Sequence, residues 1–190
     1  MKKGLGKFYD LVEAFESLPT IGKKSAQRLA YHIVMHDNYC GIKLAHTIEN
    51  AIKSISKCNS CGSISENEIC EICLDDQRDK DILCIVQTAK DIFVIEESKQ
   101  FNGGYFVIEE LEPEILDQLL MYVKTNNVKD LLFAITPSLS NDAFILYIED
   151  RLKDYNINFS KIAQGVPTGV SLENVDILSL AKAIQSKVTI

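Results

Sequence analysis

Long apolar runs are absent from this sequence. No stretch approaches 18 consecutive apolar residues, the length that a membrane-spanning helix needs. The opening Met-Lys-Lys-Gly-Leu-Gly-Lys is followed by no apolar run of signal-peptide length. Both absences point to a cytoplasmic protein. Internal repeats and low-complexity tracts are also missing, which argues against solenoids and disordered tails. Positive charge is scarce: 20 Lys and Arg stand against 27 Asp and Glu, for a net charge of −7. Such a protein cannot coat nucleic acid over its whole surface. The scarcity is uneven, however. Residues 1–57 carry nine Lys/Arg and five Asp/Glu, net +4, and the remainder carries eleven and twenty-two, net −11. Any contact with phosphates is therefore confined mainly to the front. The 190 residues suffice for one good core or two small units, and 46% apolar with 25% charged residues is ordinary for a globular protein.

Against these absences stands a concentration of cysteine. Cys58, Cys61, Cys70 and Cys73 form two CxxC pairs separated by eight residues. A CxxC turn aims both sulfurs at one point, and two such turns close a tetrahedron. Zinc accepts four thiolates at about 2.3 Å in that geometry. The surrounding segment is short and polar, so metal would supply its folding free energy, on the order of 10–16 kcal/mol in small zinc peptides. With all four positions filled by sulfur, the site is structural; a catalytic zinc keeps one position open. Two disulfides are the other use of four cysteines, but nothing else in the chain suggests secretion. The remaining pair, Cys40 and Cys84, are expected to be inert thiols.

The basic front reads as helices. Phe8, Leu11, Val12 and Phe15 have helical spacing, and Pro19 and Gly22 punctuate the turn in Leu-Pro-Thr-Ile-Gly (residues 18–22). Ala26, Leu29, Ala30 and Ile33 give a second amphipathic helix, and residues 41–56 a third. This is the outline of a helix-hairpin-helix motif. Such hairpins aim backbone N–H groups at a DNA phosphate, helped by the helix dipole. Lys23, Lys24 and Arg28 fill the charged role. Thr20 stands where the first glycine of such hairpins is usual, and a threonine there is strained if the turn needs positive φ. The alternative is a plain helical hairpin with solvated lysines. His32 and His36 have no glutamate between them in an HExxH arrangement, and are expected to face solvent.

Behind the cysteines the pattern changes. A charged link (75–81) leads to the buried-strand run Ile82–Val86, then a helix over 88–97 and a turn at Gly103 and Gly104. Further strands are expected over 105–108, 131–135 and 157–163, with helices opened by Pro113 and over 143–152. A loop around Pro167 and a closing helix over 176–185 complete the chain. Strands alternating with helices predict an α/β unit with a mainly parallel sheet.

Hairpin, four-cysteine module and α/β unit in this order resemble the bacterial recombination-mediator family RecR over nearly the whole chain. The most telling pieces are Leu-Pro-Thr-Ile-Gly-Lys-Lys-Ser-Ala-Gln-Arg-Leu-Ala, the CxxC pairs, Leu-Cys-Ile-Val (83–86) and Ile-Ala-Gln-Gly-Val-Pro-Thr-Gly (162–169). The resemblance implies that the α/β unit is a Toprim domain. The expected division is a helix-hairpin-helix domain over 1–56, a zinc finger over 57–75, a Toprim-like α/β domain over 76–165, and a self-associating tail over 166–190. It further implies a non-enzymatic DNA-repair factor working with RecO, with RecF as a second candidate partner, to load recombinase onto gapped single-stranded DNA. It also implies oligomerisation, as a dimer or tetramer, with relatives forming rings that can surround DNA, and the setting implied is the nucleoid.

Toprim enzymes hold magnesium on a glutamate after the first strand and on a later acidic cluster. Here Gln87 takes the first place, and Thr-Pro-Ser-Leu-Ser-Asn-Asp (136–142) takes the second, leaving Asp142 as its one carboxylate. A lone carboxylate does not support two-metal chemistry. Two rival readings are a Toprim nuclease or primase-type enzyme using Glu96, Glu97 and Asp142 with magnesium, and a protein–protein adaptor without DNA binding.

Overall fold

The structure is a computed structural model that describes residues 4–163, 165–166 and 168–186. The chain divides between Ile55 and Ser56 into two compact units.

The first unit holds α1 (Gly6–Glu16), α2 (Lys23–Met35) and α3 (Asn38–Ser54). Ala26 and Ala30 are fully buried one turn apart and meet Val12, with Phe8, Leu11, Phe15 and Ile21 around them. Two alanines on one stripe let the helix backbones approach closely. The turn between α1 and α2 puts Thr20 at φ 68°, in the left-handed region that a β-branched residue rarely enters. The glycine-like demand anticipated at this position is real, and threonine meets it under strain. The third helix begins three residues before the expected 41 because the Asp37 side chain accepts from the Cys40 N–H and caps it. No residue of α3 is buried, and Ile42, Ile48 and Ile52 are 59%, 51% and 76% exposed. Its apolar face has no cover within the described residues of its unit.

The second unit opens with a two-residue antiparallel ladder, β1 (Ser56–Lys57) with β2 (Ile64–Ser65), and the short helix α4 (Glu71–Leu74). The sheet follows: β3 (Asp79–Val86), α5 (Ala89–Ser98), β4 (Gly103–Val107), α6 (Pro113–Asn126), β5 (Asp130–Phe133), α7 (Leu139–Leu152) and β6 (Asn158–Lys161). The strand order is β4-β3-β5-β6, with every pairing parallel. The central strand is buried on both faces, as its unbroken apolar run requires. Leu83 and Ile85 join a cluster with Phe106, Leu119 and Ile148, under α6 and α7. Cys84 and Val86 join Ile92 of α5 on the other face. Burial pushes the Cys84 thiol up to about 12, so it is an inert core residue.

Three boundaries depart from the sequence reading. The central strand starts at Asp79, inside the expected charged link, and a register shift separates Asp79↔Gly103 from Leu83↔Gly104. Helix α7 starts at Leu139 rather than 143, because the Ser138 hydroxyl accepts from the Asn141 N–H. Most tellingly, Gly103 and Gly104 are not a turn; both are buried within β4. A Cβ on Gly103 would lie 2.6 Å from the Ile82 carbonyl oxygen, and one on Gly104 would collide with the Tyr122 hydroxyl. The glycines serve close approach rather than reversal. Gly103→Ala is therefore expected to destabilise the protein by about 1–3 kcal/mol, read from the denaturation midpoint. Gly6→Ala, where a Cβ meets nothing within 4 Å, is the control and should be close to neutral.

Beyond β6, a single 3-10 turn (Leu172–Asn174) precedes α8 (Ile177–Gln185), in which Asp176 accepts from the Ser179 N–H. No residue of α8 is buried, and Ile177, Leu178 and Ile184 are exposed. Gln164, and Pro167 at the centre of the expected loop, lie outside the described residues.

Candidate metal centre and nucleic-acid interface

The two CxxC turns are shaped by their own backbone. The Cys58 N–H donates to the Ser63 carbonyl at 2.7 Å and the Gly62 N–H returns to the Cys58 carbonyl at 2.9 Å, which closes the first turn. Gly62 takes φ 74° there, a conformation suited to glycine. The Asn59 N–H reaches the Glu68 carbonyl at 2.8 Å and brings the second turn alongside. Cys70 precedes α4, and its N–H points at the Cys58 sulfur at 3.2 Å. Such N–H···S bonds favour thiolate over thiol.

The result is convergence. The four Sγ atoms lie within 4.8 Å of one another, and Cys61 Sγ is 3.6 Å from Cys70 Sγ. A disulfide would need about 2.05 Å, and all four cysteines are free. Bonds of about 2.3 Å to one tetrahedral ion place sulfurs about 3.8 Å apart, close to the separation observed. Cys58, Cys61 and Cys70 are buried and Cys73 is half-buried. Hydrogen bonds with Cys70 and Cys73, joined by burial, push the Cys61 thiol far up, while hydrogen bonds with Cys61 and Cys73 push the Cys70 thiol down. Four crowded sulfurs without a cation must share protons, and a divalent ion would replace them. The residues present thus fit a metal ion. The cluster is also fastened to the sheet of its own unit. The Val107 N–H donates to the Cys61 carbonyl at 2.8 Å, and a Cβ on Gly62 would lie 3.3 Å from Val107 Cβ.

At the C-terminal end of β3, Gln87 forms a reciprocal amide pair with Asn141, at 3.0 and 3.2 Å. Asp142 sits 3.5 Å from Lys161. Glu96 is engaged elsewhere: both its oxygens accept from the Arg78 guanidinium, and the Tyr105 hydroxyl donates to it at 2.6 Å. Glu97 is exposed. The three carboxylates of the magnesium-dependent reading are therefore not gathered. Among the described residues, the four cysteines are the one group of three or more His, Cys, Asp or Glu donors that converges. The Arg78–Glu96–Tyr105 cluster is not legible in the sequence, because Arg78 looks like part of a solvated charge run.

In the first unit, Lys23 and Lys24 occupy the first two positions of α2, and Arg28 follows one turn after Lys24. All three are exposed. The preceding Gly22 has no side chain to cap the helix, and no acidic residue lies in its first turn. The first intrahelical bond is made by the Ala26 N–H to the Gly22 carbonyl, so the N–H groups before it face outward unpaired by the helix. Unpaired amides, the positive end of the dipole and two lysines suit an anion.

A family model described as "RecR, helix-hairpin-helix" matches residues 8–52. The chain is 56% identical to "Recombination protein RecR" of a Nitratiruptor species and 55% identical to that of Campylobacter jejuni subsp. doylei, over 100% of each chain. It is 42% identical to "Recombination protein RecR" of Helicobacter pylori (strain Shi470), over 98% of this chain and 97% of the relative.

Proposed function

This chain belongs to the RecR family of recombination proteins, and from that premise we propose that it is a non-enzymatic, zinc-holding, DNA-binding factor of recombinational repair. It works with RecO, and with RecF as a second candidate, to load recombinase onto gapped single-stranded DNA in the nucleoid. The observation that carries DNA contact is the uncapped start of α2 with Lys23, Lys24 and Arg28 exposed around it. These three side chains contact phosphates. Cys58, Cys61, Cys70 and Cys73 hold zinc, the ion that an all-sulfur tetrahedral set favours. With four thiolates and no open position, the ion's contribution is structural, and it orders residues 57–75. Residues 76–165 then form the Toprim-like domain and 166–190 the self-associating tail.

The uncovered apolar faces of α3 and α8 support self-association into a dimer or tetramer. A ring of several subunits gathers several weakly basic fronts, so a net charge of −7 per chain does not prevent DNA binding.

The test is a salt titration of duplex binding. Each phosphate contact contributes about 0.9 to the slope of log affinity against log salt. Replacing Lys23, Lys24 and Arg28 together by alanine is expected to weaken binding and to flatten the slope by roughly 2.7. An unchanged affinity and slope would show the hairpin assignment wrong. A low-salt gel shift with and without RecO separates this reading from an adaptor that touches no DNA.

A further inference from the structure

The face of α2 that carries Lys24 and Arg28 also borders a hollow against α1, with a volume of about 1070 Å³. Phe8 and Tyr9 of α1, Tyr31 of α2 and His36 just past its end line it beside Lys24 and Arg28. No carboxylate stands among its described lining residues, in a chain that carries 27 of them. Rings dominate the rest. Tyr31 and His36 meet edge to face at 5.4 Å between centroids, and Phe8 and Tyr9 meet likewise at 5.7 Å. Tyr31 is 52% exposed, which is far from the burial of a core aromatic.

We infer that this hollow receives unpaired nucleobases of single-stranded DNA, stacked on its exposed rings, while the flanking phosphates lie on Lys24 and Arg28. The inference rests on the DNA-contact reading above and narrows it from any phosphate backbone to a single strand. Rings interleaved with cations are the chemistry of single-strand recognition: every base offers a π-face, and the cations follow the backbone. Duplex bases are occupied in their own stack and cannot enter a hollow without being extruded. A second copy of the chain is the other occupant to weigh. Lys24 and Arg28 are exposed at the hollow with no carboxylate among the described lining residues to pair them, which favours a polyanion over an apolar face of a second copy.

The experiment compares an oligothymidylate with an abasic strand of equal length, using the full-length, zinc-loaded protein. Wild type is expected to bind the thymidylate roughly 5- to 160-fold more tightly, the range that stacking of one base supplies. Tyr31→Ala is expected to remove most of that preference without changing the salt slope, and Tyr31→Phe to restore it. Equal affinity for the two strands overturns the inference and leaves the phosphate contact standing. Absence of binding to both overturns the DNA-contact reading as well. If Tyr31→Ala changes the sedimentation of the DNA-free protein, and DNA affinity only in step with it, the hollow belongs to a second copy and the inference is wrong.

Discussion

Cys61→Ser is expected to strip the protein of its zinc and to unfold residues 57–75 without melting the helices of the first unit. Metal analysis of the wild type should give about one zinc per chain, the stoichiometry of a four-thiolate site, and the variant close to none. Cys61 is 1% exposed and its sulfur lies 3.6 Å from that of Cys70, so serine offers a harder, protonated oxygen at the centre of the cluster. The segment has little else to hold it. Its ladder is two residues per strand and its helix one turn long. Zinc binding is worth on the order of 10–16 kcal/mol in peptides of this kind, which exceeds the roughly 2–5 kcal/mol of a typical core truncation. Melting should also reach β4, because the Val107 N–H would lose its bond to the Cys61 carbonyl. Limited proteolysis would place the first cuts within residues 57–75. Acid should act like the mutation. Thiols ordinarily lose their protons near about pH 8.5, and zinc must displace those protons to bind, so affinity falls as pH falls. A metal-free protein with the protease resistance of the zinc-loaded one would sink the assignment.

That site is readable because its information is local. Two CxxC turns separated by eight residues need no knowledge of the rest of the chain to be brought face to face. The uninterrupted Leu-Cys-Ile-Val likewise announces a strand covered on both sides. The misreadings share a different character. Gly103 and Gly104 resemble a turn in sequence, and only the Tyr122 hydroxyl and the Ile82 carbonyl, many residues away, reveal why side chains are excluded. Thr-Pro-Ser-Leu reads as loop until Ser138 is seen capping α7. Arg78 reads, with its charged neighbours, as a solvated link, because its partners Glu96 and Gly103 stand 18 and 25 residues further on. Conversely, Thr20 is a local signal that holds: the turn chemistry demands positive φ, and the backbone delivers it. Pairing across long sequence separation is what periodicity cannot carry.

Glu96→Ala is expected to cost about 2–4 kcal/mol of stability. Arg78 keeps only 12% of its side chain exposed, and Glu96 30%. Both carboxylate oxygens accept from its guanidinium, which also donates to the Gly103 carbonyl at 3.0 Å, while the Tyr105 hydroxyl completes the set. Removing the carboxylate leaves a largely desolvated cation with Asp75, 3.7 Å away, as its remaining acidic partner. The pH dependence follows from the same contacts. Hydrogen bonds from Arg78 hold the Glu96 carboxyl below the ordinary carboxylate range, outweighing the opposing effect of burial. Its folded pKa is thus lower than the unfolded value of about 4.3. The ionised form stabilises the fold fully above that value, and the stabilisation is lost as pH falls through the lower folded one. Thermal melts of wild type should therefore drop more steeply with acid than those of Glu96→Gln, which has no proton to take up. Identical acid slopes would show that the pair contributes nothing to this response. The same experiment weighs the magnesium-dependent reading, because an ion bound at Glu96 would compete with the Arg78 guanidinium for its charge. Magnesium is expected to leave both melting curves where they are; a rise confined to wild type would mean that Glu96 takes part in holding the ion.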